Sequence, residues 1–397
     1  MSERQRANPR AHRFWPRPGP PGADHGRKRT PDEVPAPRLT RSQVTLDDGH
    51  VVSVAVAGEG VPFVVVHGFM AEGFMYAQTL GRLVSLGYKV VAIDTAAHGG
   101  TDVLPEGEVD FGGYVDLLSR ALDHLGIRRA VLVGHSMGGR IVAELAAAAP
   151  ERAVAVILLD PILGRPWDRL VARARAFPPL LAWLGLLIAV DTLATLPLLA
   201  DRRQARTVLG FLAPTVRRDV LRPWRLLAPA IAILRSGSSG AVLESLRCNA
   251  VPTVIVHGER DLVVPLATAR DAAERSGGDL VVVHGGTHSW LIRDPETLPA
   301  VVSSLSEGRL GEEYDAALRD AGLDPASASV ADVEAAFYAP GARVVALTPP
   351  LAFEPTAYRL RPPRYEFTAV DVHDGPDVTG LADAGAATGG ADADDAA

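Results

Sequence analysis

The chain has 397 residues, of which 47% are hydrophobic, so it is long enough for one large domain with insertions and terminal extensions. Its net charge of -7 at pH 7 argues against nucleic acid as the main partner. The single cysteine, Cys248, excludes an internal disulfide and is predicted to be a buried, reduced thiol. These features favour a cytoplasmic protein and leave open a peripheral association with a membrane.

Both ends of the chain have compositions typical of disorder. Residues 1–42 are rich in arginine and proline, and no apolar segment follows their basic residues, so a secretory signal is not indicated. We predict a disordered basic tail, either without a role or in contact with anionic lipid headgroups. Residues 380–397 are almost entirely Ala, Gly and Asp, and are also predicted to be disordered.

Strand and helix patterns alternate through residues 43–161 and 248–306. Asp47-Asp48-Gly49 separates two short apolar runs and predicts a β-hairpin. The later strands are near-continuous runs of Val, Ile and Leu, which is typical of a parallel sheet covered by helices on both faces. These patterns predict an α/β fold with a doubly wound, mostly parallel sheet. Right-handed crossovers would bring the loops that follow the strands to one edge.

The segment Gly134-His135-Ser136-Met137-Gly138 lies between a strand pattern and a helix pattern, so it predicts a strand-to-helix turn. A turn this tight strains its central residue and raises the Ser136 hydroxyl above the sheet edge. The flanking glycines remove Cβ atoms that would clash there. Gly-x-Ser-x-Gly is by itself a common pattern, but its position makes Ser136 the candidate nucleophile.

Two later strand patterns end at residues that complete this chemistry. The run 252–258 leads into Asp261, and the run 280–283 leads into His288. Serine, acid and histidine in this order along the chain is the order of α/β-hydrolase triads. Across about residues 43–306 the chain therefore resembles the α/β-hydrolase fold superfamily, in its esterase and lipase-like branch.

The resemblance implies that His288 takes the proton of Ser136 while a carboxylate fixes the imidazole tautomer. Asp261 is the preferred acid, because it follows a strand-ending glycine in the family's Gly-x-x-Asp placement. Asp160 is the alternative, because it ends the strand pattern 153–159, after which some members place the acid.

His67-Gly68-Phe69-Met70 follows another strand pattern. In the family, the residue after His-Gly and the residue after the nucleophile each donate a backbone N–H to the oxyanion. In this chain those residues are Phe69 and Met137. The alternative interpretation of His67-Gly68 is an ordinary strand end.

The loop 94–101 resembles the loop after the family's fourth strand, but it departs from the usual pattern at Ala97, where glycine is usual, and at Thr101, where serine is usual. The lost glycine predicts a somewhat different backbone at the rim of the site. Asp94 and His98 are predicted to be structural.

No metal and no organic cofactor are expected. His284 precedes His288 by four residues, which is compatible with a metal pair, but no third ligand with metal spacing is near. The resemblance requires no cofactor, since the triad performs the chemistry.

The strand pattern stops at Asp160 and resumes at Pro252, so residues 162–247 are predicted to form a helical cap inserted over the site. The apolar stretch from Leu180 to Leu199 is interrupted by Asp191 and by prolines, which argues against a membrane span. We expect two short helices whose apolar inner faces line an acyl pocket, with Trp183 and Leu187 in its wall. The alternative is that they dip into a membrane surface. The arginines nearby suit anionic headgroups or a solvated face.

Residues 307–379 form a C-terminal extension of unknown role. Residues 312–321 and 330–338 are predicted to be helical, and 344–347 is predicted to be a strand.

These features together predict a serine hydrolase that cleaves a carboxylic ester with a hydrophobic acyl group. Its substrate would be a small-molecule or lipid-like ester, with possible peripheral membrane contact through the cap and no nucleic-acid partner. The same triad also serves thioester, amide or carbon–carbon bond hydrolysis, acyl transfer and perhydrolysis. A binding protein that keeps the fold without turnover is the remaining alternative.

Overall fold

The structure of the protein is a computed structural model, which describes residues 37–71, 73–105, 109–194, 217, 221–348 and 358–372. Most of the predicted basic tail and all of the predicted C-terminal tail, 380–397, lie outside the described residues. Residues 40–42, which composition placed in the basic tail, instead begin the first strand.

The described residues contain a nine-stranded sheet. Its strands are β1 (Thr40–Thr45), β2 (Val51–Ala57), β3 (Val61–Val66), β4 (Tyr88–Ile93), β5 (Ala130–His135), β6 (Ala153–Leu159), β7 (Thr253–Gly258), β8 (Asp279–Val283) and β9 (Phe367–Val370). The spatial order is β1-β2-β4-β3-β5-β6-β7-β8-β9. Strands β3 to β8 pair in parallel, and β1, β2 and β9 are antiparallel additions at the two edges. The predicted doubly wound, mostly parallel sheet is confirmed.

Helices connect and cover these strands. They are α1 (Ala77–Val84), α2 (Phe111–Leu125), α3 (Met137–Ala148), α4 (Arg165–Ala176), α5 (Pro179–Ala194), α6 (Leu227–Arg235), α7 (Gly240–Cys248), α8 (Leu266–Ser276), α9 (Trp290–Arg293), α10 (Thr297–Ser306), α11 (Arg309–Asp320), α12 (Val330–Phe337) and α13 (Arg343–Leu347). Short 3-10 turns occur at Gly73–Tyr76, Pro150–Arg152 and Pro223–Leu226. Every residue of β3 to β7 is buried, which explains why these strands carry continuous Val, Ile and Leu runs rather than an alternating pattern.

The predicted hairpin is confirmed, since β1 and β2 pair antiparallel around the turn at 47–49. Gly49 has φ 87°, a left-handed backbone that glycine adopts without steric cost. This hairpin covers one edge of the parallel sheet through the pairing of β2 with β4.

The carboxyl ends of the central strands lie level with one another. Val66 pairs with Gly134, His135 with Leu159, and Gly258 with Val283. The strand order reverses between β3 and β5, and such a switch point opens a crevice at the carboxyl edge. The loops after these strands are the ones that carry the predicted site residues.

The cap region contains α4, α5 and α6, and α7 packs against α3 and α8. The second predicted cap helix falls largely on residues 195–199, which lie outside the described residues. In the described ranges, no single helix is long and apolar enough to cross a membrane. One bent pair of segments is long and apolar enough only when the two are counted together, by length and composition alone. The pair is Trp224–Arg235 and Gly240–Cys248, and the angle between them is 74°.

The C-terminal extension confirms two predictions and overturns one. Helices α11 and α12 occupy the segments predicted to be helical. Residues 344–347 belong to helix α13, so the predicted strand is wrong. A run of four apolar residues fits either element, and its packing decides between them. The extension also supplies β9, which pairs with β8 and was not predicted.

Cys248 is exposed, so the predicted buried thiol is wrong. It ends helix α7, whose buried positions are Gly240, Leu243 and Leu246. The cysteine therefore does not lie on the buried face of the helix.

Candidate active site

Ser136 lies at the turn between β5 and α3, in a strained backbone with φ 53° and ψ -114°. Its N–H donates to the carbonyl of Leu159 at 2.8 Å, which anchors the turn to the neighbouring strand. A Cβ at position 134 would lie 2.3 Å from the carbonyl oxygen of Gly138. A Cβ at position 138 would lie 2.3 Å from the carbonyl oxygen of Val66. Both glycines are therefore required by close backbone approach, as the sequence predicted.

The turn after β3 passes directly beside Ser136. A Cβ on Gly68 would lie 2.9 Å from His135 Nδ1 and 3.1 Å from the Cβ of Ser136, so the close crossing favours glycine. The N–H of Phe69 donates to no other group in the part of the chain that the structure describes. Met137 is the first residue of α3, where backbone N–H groups have no acceptor within the helix. The two predicted oxyanion donors thus lie on the segments that adjoin Ser136.

His98 supports this turn from the next loop. Its Nε2 accepts the N–H of Met70 at 3.2 Å, and its Nδ1 is 3.0 Å from the carbonyl oxygen of Ala96. Burial lowers the pKa of His98 to about 3, so the ring is neutral and Nε2 accepts. Asp94 accepts the N–H of Gly73 at 2.7 Å. Both side chains have structural contacts.

Ala97 has φ 68°, a left-handed conformation that favours glycine. The sequence predicted a different backbone at this position. The loop instead holds alanine in a strained conformation, and the carbonyl of Ala97 accepts a hydrogen bond from Arg225 at 3.1 Å.

His288 and Asp261 form a short, buried pair. The imidazole Nδ1 lies 2.7 Å from Asp261 Oδ2. The other oxygen, Oδ1, accepts the N–H groups of Val263 and Val264, both at 2.8 Å. The carboxylate therefore has a fixed orientation, and Nδ1–H is the donor of the short bond.

The charges of the pair shift both pKa values. Burial raises the pKa of Asp261, but the charge and hydrogen bond of His288, together with His257 and the N–H of Val264, outweigh it, and the net shift is downward. Burial lowers the pKa of His288, but the carboxylates of Asp261, Asp160 and Asp191 outweigh it and raise the pKa to about 9. The cluster therefore stabilises a positive imidazolium, which is the state a general base reaches after taking a proton.

Asp160, the alternative acid, bonds elsewhere. Its Oδ1 accepts the N–H of Gly258 at 2.8 Å, and its Oδ2 accepts the indole N–H of Trp290 at 2.7 Å. Burial, and then the charge of Asp261, hold the pKa of Asp160 well above its usual range. In this geometry Asp261, and not Asp160, bonds to His288.

Ser136 and His288 are not hydrogen bonded to each other among the described residues. Their elements are nevertheless adjacent, because the rings of His135 and His288 have centroids 4.9 Å apart. Catalytic hydrogen bonds are often long without substrate and tighten in the reactive complex.

A sequence model of the alpha/beta hydrolase family matches residues 63–301, more than half of the chain. The chain belongs to the alpha/beta hydrolase family. The match spans Phe69, Ser136, Asp261 and His288, and it confirms the resemblance on which the fold prediction rested.

Several relatives of this alpha/beta hydrolase carry haloperoxidase names. A protein of Mycobacterium phage D29, whose name places it among the non-heme haloperoxidases, is 32% identical over 263 residues, which are 65% of this chain and 92% of that protein. A non-heme haloperoxidase of Rhodococcus erythropolis is 27% identical over an alignment of 284 positions, gaps included, which covers 66% of this chain and 98% of that protein.

Solved structures show the same fold at lower identity. An esterase from Exiguobacterium antarcticum has a TM-score of 0.54 and 21% identity, covering 68% of this chain and 100% of the esterase. An esterase from a Rhodococcus species has a TM-score of 0.52 and 22% identity, covering 67% of this chain and 98% of that chain.

Sequence reasoning missed the support behind His288, the candidate base. Tyr76 donates its hydroxyl to His135 Nδ1 at 2.9 Å, and His135 Nε2 donates to the carbonyl of His288 at 2.9 Å. Burial lowers the pKa of His135 to about 3, so the ring is neutral and bridges the two groups. The signal was a histidine directly before Ser136, but its partners lie far away in the sequence.

Asp160, Asp261 and His288 also place potential metal-ligand atoms within 4.8 Å of one another. These atoms already have partners, because Asp261 bonds to His288 while both oxygens of Asp160 accept N–H groups. His284, the residue whose spacing suggested a metal pair, instead lies 2.9 Å from Thr368 Oγ1 on β9. The arrangement therefore fits an acid–histidine pair better than a metal centre.

Proposed function

We propose that this alpha/beta hydrolase cleaves a carboxylic ester with a hydrophobic acyl group, with Ser136 as nucleophile, His288 as base and Asp261 as the orienting acid. The observation that carries the proposal is the 2.7 Å pair of His288 and Asp261 beside a serine in a strained turn. A serine hydroxyl becomes a nucleophile when a positioned base takes its proton.

The proposed reaction begins when Ser136 Oγ attacks the ester carbonyl and its proton passes to His288 Nε2. Asp261 stabilises the imidazolium through the Nδ1–H bond. The N–H groups of Phe69 and Met137 hold the negative oxygen of the tetrahedral intermediate, and each donor of this kind stabilises it by about 3 kcal/mol. The imidazolium then protonates the leaving alcohol. Water, activated by the same histidine, releases the acid and restores Ser136.

The hydrophobic acyl preference rests on the inner face of α5. One face of α5 is turned toward the protein, with residues at i, i+4, i+7, i+8 and i+11. Its residues are the partly buried Leu180, Leu184, Leu187 and Ile188 and the buried Asp191. Asp191 accepts the N–H of His288 at 3.1 Å, so this face ends at the catalytic histidine. Leu187 and Ile188 lie one turn before Asp191 and would therefore contact the acyl chain of a bound ester.

The outer face of α5 supports peripheral membrane contact. Trp183, Leu186 and Val190, spaced i, i+3 and i+7 on one stripe of the helix, are between 51% and 55% exposed. Trp183, predicted to lie in the pocket wall, is on this exposed stripe, whereas Leu187 is partly buried. A helix with a second, exposed apolar face fits a lipid surface or a lipid-like substrate aggregate.

The haloperoxidase names of the relatives favour perhydrolysis as the second candidate. Hydrogen peroxide would replace water in the last step, so that attack on the acyl-enzyme yields a peracid and free Ser136. The triad and the oxyanion donors have the same roles in both reactions. Peroxide access to the acyl-enzyme would decide the ratio of peracid to acid.

The test is fluorophosphonate labelling combined with turnover of p-nitrophenyl esters. The wild-type protein should be labelled and should hydrolyse the esters, whereas Ser136→Ala should lose both properties and keep its fold. Ser245→Ala is the matched control, because Ser245 bonds to the carbonyl of Ala147 on the far end of α3. Full labelling of the Ser136→Ala variant would falsify the assignment. Adding hydrogen peroxide to the same assay measures peracid formation.

A further inference from the structure

Asp191 is the only charged residue of α5, a helix that is otherwise almost entirely apolar. Only 8% of its surface is exposed. Burying a carboxylate in apolar surroundings is costly unless it has specific partners. The position of this carboxylate therefore needs a physical explanation.

The partner of Asp191 is the backbone of the catalytic histidine. Its Oδ1 accepts the N–H of His288 at 3.1 Å, across 97 positions of sequence. Its Oδ2 is buried and has no hydrogen-bond donor among the residues that the structure describes. The side chain thus reaches from the cap to the loop that carries the base.

That loop has little regular structure of its own. It follows β8 and begins with Gly285, at φ 69°, and Gly286. Separate elements hold His288 at separate atoms: Asp261 at Nδ1, His135 at the carbonyl and Asp191 at the N–H. Of these, only Asp191 belongs to the cap.

We propose that Asp191 is a positioning residue through which cap helix α5 holds His288 in its catalytic orientation. The position of the cap then determines whether His288 is oriented to act as the base. The inference rests on the proposed function, because it assigns His288 the role of base. A cap that closes over an acyl chain would then complete the site by the same movement. Specificity would be gained because a poorly fitting acyl group leaves the histidine less well held.

The charge of Asp191 gives the proposal a second readout. The titratable groups that face His288 are Asp261 after β7, Asp160 after β6, His135 at the end of β5, His257 on β7 and Asp191 on α5. The carboxylates among them raise the pKa of His288, and Asp191 is one of the contributors. Removing its charge should therefore lower the pH at which the base becomes active.

The experiment compares Asp191→Asn, Asp191→Ala and Asp168→Asn by the pH dependence of ester turnover. Asparagine keeps an oxygen that accepts the N–H of His288 but removes the charge, whereas alanine removes both. Asp168 is the matched control, since it is a cap aspartate on α4 with one buried unpartnered oxygen. It accepts from Ser239 and does not touch His288.

With Asp191→Asn we expect the acid limb of kcat/KM about one pH unit lower and a loss of kcat smaller than in Asp191→Ala, because the amide oxygen still accepts the N–H of His288. With Asp191→Ala we expect kcat to fall by about 10-fold to 100-fold, with a smaller change in KM, because the base is misplaced. With Asp168→Asn we expect neither effect. Thermal unfolding of each variant reports the fold.

Unchanged kcat in Asp191→Ala together with an unchanged acid limb in Asp191→Asn would overturn the inference. Equal losses of kcat in Asp191→Ala and Asp168→Asn would also overturn it, because the effect would then be loss of the cap. A wild-type protein that neither turns over esters nor reacts with fluorophosphonate would refute the proposed function itself. The two failures are therefore distinguishable.

Discussion

Replacing Asp261 by asparagine tests the acid assignment most directly. Asp261 Oδ1 accepts the backbone N–H groups of Val263 and Val264, both at 2.8 Å. The amide oxygen of an asparagine would keep these bonds, so its NH2 group would occupy the place of Oδ2. That place is 2.7 Å from Nδ1 of His288.

Two donors cannot face each other at this distance, so the imidazole would carry its proton on Nε2 instead of Nδ1. Nε2–H cannot take the proton of Ser136. Trapping this tautomer is expected to lower kcat by about 10⁴-fold. Such a loss corresponds to about 5 kcal/mol of transition-state stabilisation.

The assay is steady-state hydrolysis of a p-nitrophenyl ester, with Asp160→Asn as the matched control. Asparagine at position 160 offers one acceptor where Gly258 and Trp290 now use two, so a buried donor is left unpaired. We expect lower stability, by about 1–3 kcal/mol, and retention of most activity. If Asp160→Asn were the more damaging change to kcat in folded protein, Asp160 would be the acid and the reasoning would be refuted.

Other predictions follow from the charges and from the cap. Since the pKa of His288 is raised to about 9 and a base must be neutral, kcat/KM should rise from pH 7 through pH 9; an acid limb below pH 6.5 would contradict this. Each methylene added to the acyl chain should improve kcat/KM about fourfold until the pocket is full, because burying one CH₂ contributes about 0.8 kcal/mol. Equal kcat/KM values for esters from acetate to octanoate would exclude an acyl pocket. Leu187→Asp should weaken octanoate esters more than acetate. Trp183→Asp should leave the turnover of soluble esters unchanged and reduce sedimentation with phosphatidylglycerol vesicles. If Trp183→Asp, Leu187→Asp and the wild type sedimented equally with these vesicles, membrane contact through the exposed face of α5 would be excluded.

The sequence by itself determined the fold class and the strained turn that presents Ser136, the proposed nucleophile, because both are encoded locally. Continuous Val, Ile and Leu runs that alternate with helix patterns are typical of strands in the middle of a sheet covered on both faces. The turn at Ser136 needs glycine at positions 134 and 138, since any Cβ there would meet backbone at 2.3 Å. The chain order of serine, acid and histidine is likewise visible in the sequence.

Only the tertiary structure distinguished the two candidate acids, by the partners of their oxygens. Asp160 and Asp261 both follow buried strands, and nothing local separates them. The loop that carries Asp261 turns its free oxygen to His288, whereas the site of Asp160 directs both oxygens to N–H donors. Which carboxylate meets His288 depends on the directions in which the side chains after several different strands point.

The supports of the site were also decided by tertiary packing. Asp191 is 97 positions from His288, and His135 is 153 positions from it. In the sequence, Asp191 looked like an interruption of an apolar helix, and the exposure of Cys248 and the addition of β9 were not visible. Each of these depends on which face of one element meets another, and local patterns do not specify contacts between residues that only the folded chain brings together.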